Sequence, residues 1–256
     1  MLKRLLNSIA HKMGYAVVEA GDHCTYDLEQ EARQHIDAVR SHTMVVYEKL
    51  VTLYQQAVFC ERQGLAGSFV ECGTWKGGAV GLMALANLAH GQTRRHLHLF
   101  DSFAGIPEPN AAVDGEAAVR FAREAGGKAD GQLVALKNAY RETGTLAANK
   151  ELLEERIGYP KTHLHYHEGW FQDTLPQTAA ELGDIAILRL DGDWYDSTRV
   201  CLQHLYDKVV RGGFIIIDDY GCYAGCKKAV DEYMQENAIN AYLHHIDREA
   251  RYWLKP

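Results

Sequence analysis

The sequence predicts an open α/β domain: a twisted, mainly parallel sheet with an N-terminal helical cap. Three observations predict it. Short apolar runs alternate with helix-length amphipathic stretches from residue 65 onward. A glycine turn stands where the first of these runs passes into a helix, and several runs end in aspartate. No linker, repeat or low-complexity stretch divides the 256 residues, so residues 1–64 are read as a cap or lid and 65–256 as the sheet domain, together one integrated unit.

Composition limits the function classes. Apolar residues make up 47% and charged residues 24%, the balance of a folded protein that buries its own core. A formal charge of -7 disfavours a general phosphate-backbone binder, so no nucleic-acid partner is expected. The six cysteines form no CxxC pair and no dense framework, which fits reduced thiols and a cytoplasmic setting. The opening MLKRLLNSIAHKMGY is basic and amphipathic, but polar residues break its apolar run. It reads as a short helix on the body or a partner, without stable membrane insertion.

The elements follow in order. Residues 29–62 carry Ile36, Val39, Leu50 and Val58 at helical intervals, which predicts one or two amphipathic helices. A strand at 67–72, a helix at 77–89 and a strand at 97–100 give the spacing of a right-handed parallel crossover. Residues 105–160, punctuated by Pro107, Pro109 and paired glycines, read as an insertion plus a crossover helix. Strands are then expected at 162–168, 185–190 and 214–217, the last a nearly all-apolar central strand. Helices are expected at 197–210, ending at Gly212-Gly213, and at 227–235, with closing strands at 241–246 and 251–254.

The segment ECGTWKGG places Glu71 at a strand end and Gly73, Gly77 and Gly78 where backbone and ligand approach closely. It has neither the GK[ST] ending of a phosphate loop nor GxGxxG, so nucleotide hydrolysis and dinucleotide binding are poorly supported. Asp101, at the end of the next strand, can accept from both ribose hydroxyls of a nucleoside, or it can cap the turn with Ser102. Glu71 suits a cofactor amine or the orientation of the glycine loop. A nucleoside without terminal phosphates, such as S-adenosylmethionine, fits better than NAD.

Asp191 and Asp193 flank Gly192 at one strand end, and Asp218 and Asp219 end another. In a parallel sheet both pairs fall on the ligand-binding edge, where four carboxylates repel unless protonated, spread apart or neutralised by a cation. Asp191, Asp218 and Asp219 supply hard oxygen ligands suited to Mg2+. The alternative is that these acids cap the following helices. His163, His165 and His167 alternate along one strand, a linear spacing awkward for a single zinc ion.

With these residues in view, the sequence resembles the macrocin O-methyltransferase family, Mg2+- and S-adenosylmethionine-dependent enzymes that methylate sugar hydroxyls in bacterial natural products. The matching segments are SHTM (41–44), FVECGTWKGGA (69–79), LFDSFAGIP (99–107), HEGWFQDTLP (167–176), LRLDGDWYDST (188–198) and GGFIIIDDYG (212–221). They span residues 40–235 in order, with Lys76 where many relatives carry Arg. The resemblance implies the class I S-adenosylmethionine-methyltransferase fold with a Rossmann-like sheet. It further implies that Thr43, Glu71, Gly73, Asp101, Ser102 and Trp170 contact the cofactor, that Asp191, Asp218 and Asp219 bind Mg2+, and that Asp193 acts as general base beside Asp191. A homo-oligomer, expected as a dimer, is implied as well. A catechol-type O-methyltransferase is the alternative activity, and a cofactor-binding protein without transfer is the non-enzymatic one.

Overall fold

The computed structural model describes residues 27–136, 139, 140 and 142–256, so the expected amphipathic helix at residues 1–15 lies outside the described residues. Five strands run parallel: β1 (Ser68–Cys72), β2 (Leu97–Asp101), β3 (Leu164–Glu168), β4 (Ile185–Leu190) and β5 (Val209–Ile217). Two more extend the sheet by antiparallel pairing, β7 (Arg251–Leu254) on β5 and β6 (His244–His245) on β7. The order is β3-β2-β1-β4-β5-β7-β6. The chain winds outward from β1 to β3 and then returns to pair β4 with the other side of β1. The crevice between the ends of β1 and β4 is therefore the topological switch point, where sheets of this kind bind ligands.

Helices on both faces explain why β1, β4 and the second half of β5 are unbroken buried runs. On one face, Tyr47–Gln63 (α2) and Gly78–His90 (α3) pack together. The sequence GAVGLMALANLAH of α3 is apolar on nearly every side because it lies between the sheet and α2. Asp27–Val39 (α1) precedes them, with Ala32, Ile36 and Val39 buried along one stripe. On the other face, Phe171–Thr178 (α6), Tyr195–Leu205 (α7) and Ala224–Glu236 (α8) cover a core of Val70, Phe100, Leu188, Leu202, Ile215 and Trp253. The chain divides into Met1–Glu31, of which only the first turns of α1 are described, and Ala32–Pro256, which takes in α2 with the sheet.

The insertion carries its own small core. Gly115–Glu124 (α4) buries Ala118 and Ala122, four residues apart, against Ile106, Leu136 and Trp194. Further along, Leu146–Lys150 (α5) runs into a wider π-type turn at Glu151–Arg156. Asp114, almost fully buried, fastens this region: one oxygen accepts from the Asn110 N–H at 2.6 Å and the other from the Tyr195 N–H at 2.7 Å. Tyr195 opens α7, so the exposed amide at that helix start is satisfied by a residue 81 positions away rather than by Asp196 or Ser197.

Several boundaries differ from expectation. The helix expected to reach Val210 ends at Leu205, and β5 already starts at Val209. Gly212-Gly213 is an irregularity inside β5: Gly212 has φ +78, and the pairing with β4 slips between Ile185 and Ile187. The strand expected at 241–246 shrinks to His244–His245. Residues 161–163 form a 3-10 turn after Pro160 instead of extending β3.

Candidate active site

The cavity at the switch point is lined by Met44, Gly73, Trp75, Asp101, Ser102, Gly105, Ile106, Pro107, Tyr140, Gly144, Trp170, Phe171, Gln172, Asp191, Gly192, Asp193 and Ser197. Each wall has a local cause. Gly73 ends β1 with φ +90, and a Cβ there would overlap the Asp191 carbonyl oxygen, so only glycine lets the two strand tips come this close. Trp75 and Asp193 hold left-handed backbone at φ +46 and φ +60 without being glycine, two strained positions on one cavity wall. The Trp75 carbonyl accepts from Asn149 Nδ2 at 2.7 Å, and the Trp75 indole donates to the Glu142 carbonyl at 3.0 Å. Both contacts hold the glycine loop from the α5 side.

Asp101 supports that loop from below. One oxygen accepts from the N–H groups of Thr74 (2.7 Å) and Trp75 (3.1 Å), the other from Phe103 (2.8 Å). Burial nevertheless raises its pKa against those three donors. Ser102 Oγ donates to the Gly105 carbonyl at 2.7 Å and accepts from the Ala104 N–H at 3.1 Å. Both side chains therefore shape turns while lining the cavity. Trp170 lines it at the start of α6. Thr43 accepts from the Val45 N–H at 3.1 Å and packs where Gly78 has no side chain, while its neighbour Met44 faces the cavity.

Beneath the cavity lies a buried charge network. Arg189, inside the apolar run ILRL of β4, is 2% exposed and forms ion pairs with Glu71, Asp191 (2.9 Å) and Asp218. Lys49 from α2 reaches the second oxygen of Asp218 at 2.7 Å. Glu71 thus lies behind the cavity wall rather than on it, and one of its oxygens has no hydrogen-bond partner. Burial pushes the Glu71 carboxyl up to about 7 despite Arg189. Burial also opposes charge on Lys49, but Asp218 more than offsets it and keeps the ammonium's pKa raised.

Among the described residues, the carboxylates of Asp191, Asp193 and Asp219 converge, with ligand atoms all within 4.8 Å of one another. Asp218 stands outside this set, its two oxygens turned to Arg189 and Lys49. The buried Asp219 Oδ2 has no hydrogen-bond partner. Burial raises the pKa of Asp191, Asp193 and Asp219, and repulsion from neighbouring aspartates raises each further. Hard oxygens, an orphaned buried oxygen and mutual repulsion together fit a divalent cation such as Mg2+.

The histidines form a ladder elsewhere. His96 Nδ1 meets His165 Nε2 at 2.7 Å and His98 Nδ1 meets His167 Nε2 at 3.1 Å, with His98 and His165 stacked at 4.4 Å. They pair along β2 and β3 rather than converging.

Arg189, Lys49 and Tyr140 were not among the expected site residues. A single arginine in an otherwise apolar strand that ends in Asp191 is a signal that could have found the first. Lys49 has none, because its partner lies 169 residues away.

The macrocin-O-methyltransferase (TylF) family matches residues 5–255. The chain is 35% identical over 216 residues to an 8-demethyl-8-(2,3-dimethoxy-alpha-L-rhamnosyl)-tetracenomycin-C 4'-O-methyltransferase of Streptomyces olivaceus, covering 83% of this chain and 75% of that one. It is 36% identical, with the same coverage, to a demethyldecarbamoylnovobiocin O-methyltransferase of Streptomyces niveus. Among solved structures, the O-methyltransferase NovP superposes with a TM-score of 0.72 at 29% identity, over 90% of this chain and 99% of that one. The calicheamicin methyltransferase CalS11 shares the fold, with a TM-score of 0.60 at 18% identity over 93% and 99% of the two chains.

Proposed function

The chain belongs to the macrocin-O-methyltransferase (TylF) family, and from that membership and the site geometry we propose how it works as an S-adenosylmethionine-dependent O-methyltransferase on a sugar hydroxyl of a natural product. The observation that carries the reading is the convergence of strand-end aspartates beside the switch-point cavity. Asp191 and Asp219 of that set, joined by Asp218 next to Asp219, would hold Mg2+, with Asp193, the third converging carboxylate, as the base. Arg189 and Lys49 hold Asp218 in place, and each of its oxygens retains a second lone pair for a metal. When bound, the ion supplies positive charge that favours an ionised acceptor hydroxyl, and S-adenosylmethionine supplies the methyl group.

The chain's own residues do the rest. Asp193, on the cavity wall beside Asp191, accepts the hydroxyl proton at its carboxylate. Gly73, Asp101, Ser102 and Trp170 border the cofactor, while Glu71, with one oxygen on Arg189, steadies the loop from behind. Thr43 seats the segment that brings Met44 to the cavity mouth. Met44, Ile106 and Phe171 exclude water from the transfer path.

On the arrangement of the whole protein, residues 65–256 form the catalytic domain, with α2 packed on it, and a homodimer in the cytoplasm is the working form. Among the described residues, no helix is long and apolar enough to cross a membrane.

The test is to incubate purified protein with S-adenosylmethionine and two acceptor panels, glycosides with free vicinal hydroxyls and phenolic diols, and to follow products by mass spectrometry with Mg2+ or with EDTA. Methylated glycosides formed only with the ion are expected. Turnover confined to phenolic diols would overturn the sugar assignment, and full turnover after metal removal would overturn the metal assignment.

A further inference from the structure

The charge network holds two cations of different character. Arg189 grips Glu71, Asp191 and Asp218 together from within the sheet, and its planar fork leaves it little freedom. Lys49 is a compact ammonium on a four-carbon stem, 8% exposed, that reaches in from α2. It is shared among three acids: Asp218 Oδ2 at 2.7 Å, Glu249 Oε2 at 3.3 Å and Asp247 Oδ2 at 4.0 Å.

The second and third of these acids are fixed in place. Asp247 Oδ1 accepts from the N–H groups of Glu249 (2.8 Å) and Ala250 (2.7 Å), making the loop before β7 a tight turn. The Glu249 carbonyl accepts from the Gly221 N–H at 2.7 Å, which docks that turn against the segment following Asp218 and Asp219. The Lys49 ammonium already lies within ion-pair reach of both Asp218 and Glu249.

We propose that Lys49 is a tethered competitor for the divalent ion, neutralising Asp218 until the ion binds and then shifting to Glu249 and Asp247, so that metal binding is coupled to the seating of α2. The proposal rests on the metal reading of Asp191, Asp218 and Asp219 given above. An ammonium beside one ligand repels a dication at close range, so Lys49 lowers affinity for free Mg2+ and lends the ligand set a counter-charge in its absence. Lys49 is a positioning residue and touches neither the methyl donor nor the acceptor.

The experiment is calorimetric titration of Mg2+ and Mn2+ into EDTA-stripped, dialysed full-length protein, with no acceptor and no turnover. Lys49→Met is expected to bind either ion at least about ten-fold more tightly than wild type. Glu249→Gln, which removes the receiving carboxylate, is expected to weaken binding about three-fold or more, and to have no effect when Lys49 is already Met. A general loss of negative charge would weaken binding in both backgrounds, and that result overturns the proposal. So does a Lys49→Met protein with unchanged or weaker affinity.

Lysine-selective NMR of wild type gives an independent readout. The Lys49 resonance, assigned by its loss in Lys49→Arg, is expected to move on Mg2+ titration, and an unmoved resonance overturns the proposal. Wild type that binds neither ion would instead overturn the metal reading itself.

Discussion

Gly73 lies so close beneath the main-chain carbonyl of Asp191 that the β-carbon of any other residue would overlap that oxygen. The same contact brings the cofactor side and the acidic side of the cavity together. Gly73 also has φ +90, so an alanine there is strained by its backbone as well as by its neighbour. Gly73→Ala is expected to cost about 3 kcal/mol in urea denaturation and to abolish calorimetric binding of S-adenosylhomocysteine. Stability within about 0.5 kcal/mol of wild type would show that the strand tips can separate.

Among the described residues, Arg189 is the only partner of one oxygen of Glu71, and it is shared with Asp191 and Asp218. Replacing it by methionine would leave these carboxylates facing one another in a buried site. Arg189→Met is expected to lose about 3–5 kcal/mol of folding stability, partly recovered by adding Glu71→Gln. Absence of that recovery would place the loss in packing rather than charge.

Asp193 occupies the cavity wall on left-handed backbone, and burial with the neighbouring Asp191 holds its pKa well above the usual carboxylate range. Asp193→Asn keeps size and removes the proton acceptor. Its kcat is expected to fall about 100- to 10,000-fold while cofactor affinity stays within about two-fold of wild type. Steady-state kinetics with calorimetry of S-adenosylhomocysteine checks both halves. A loss confined to cofactor affinity would contradict the base assignment.

The histidine ladder sets an acid limit on stability. Burial, followed by repulsion from neighbouring imidazoles, lowers His98 to about 3 and His167 to about 4, and burial also lowers His165. The folded state thus keeps these rings neutral, whereas the unfolded chain protonates them near pH 6.5. Their stability contribution is complete above pH 6.5 and disappears as pH falls toward 4 and then 3. Urea midpoints are expected to drop between pH 6.5 and 4 by the equivalent of roughly 3 kcal/mol from His98, with a smaller share from the more exposed His167, and with a shallower slope in His98→Leu. Equal slopes in the two proteins would assign the acid sensitivity to other groups.

Much of the fold is legible in the sequence where burial is uniform. Ile185–Leu190 and Arg251–Leu254 form at the expected residues, because a short, largely apolar run paired on both sides leaves few alternatives. Val209 and Val210 look like the end of a helix because Gly212-Gly213 resembles a stop signal. Only pairing with β4 and with the segment around Lys255 turns those glycines into a strand irregularity. At the site, the strand-end aspartates announce themselves through charge clustered behind apolar runs. The division of labour among them depends on Arg189 and Lys49, and Lys49 meets Asp218 only through tertiary packing.

Asp114 has a practical consequence for changing acceptor preference. It joins the insertion to the first amide of α7, and Trp194 repeats the connection one residue earlier by donating from its indole to the Pro107 carbonyl at 2.9 Å. A chimera that imports another enzyme's loop between residues 107 and 136 must therefore retain the aspartate–tryptophan clasp at the junction, or the graft will lose its anchorage to the scaffold.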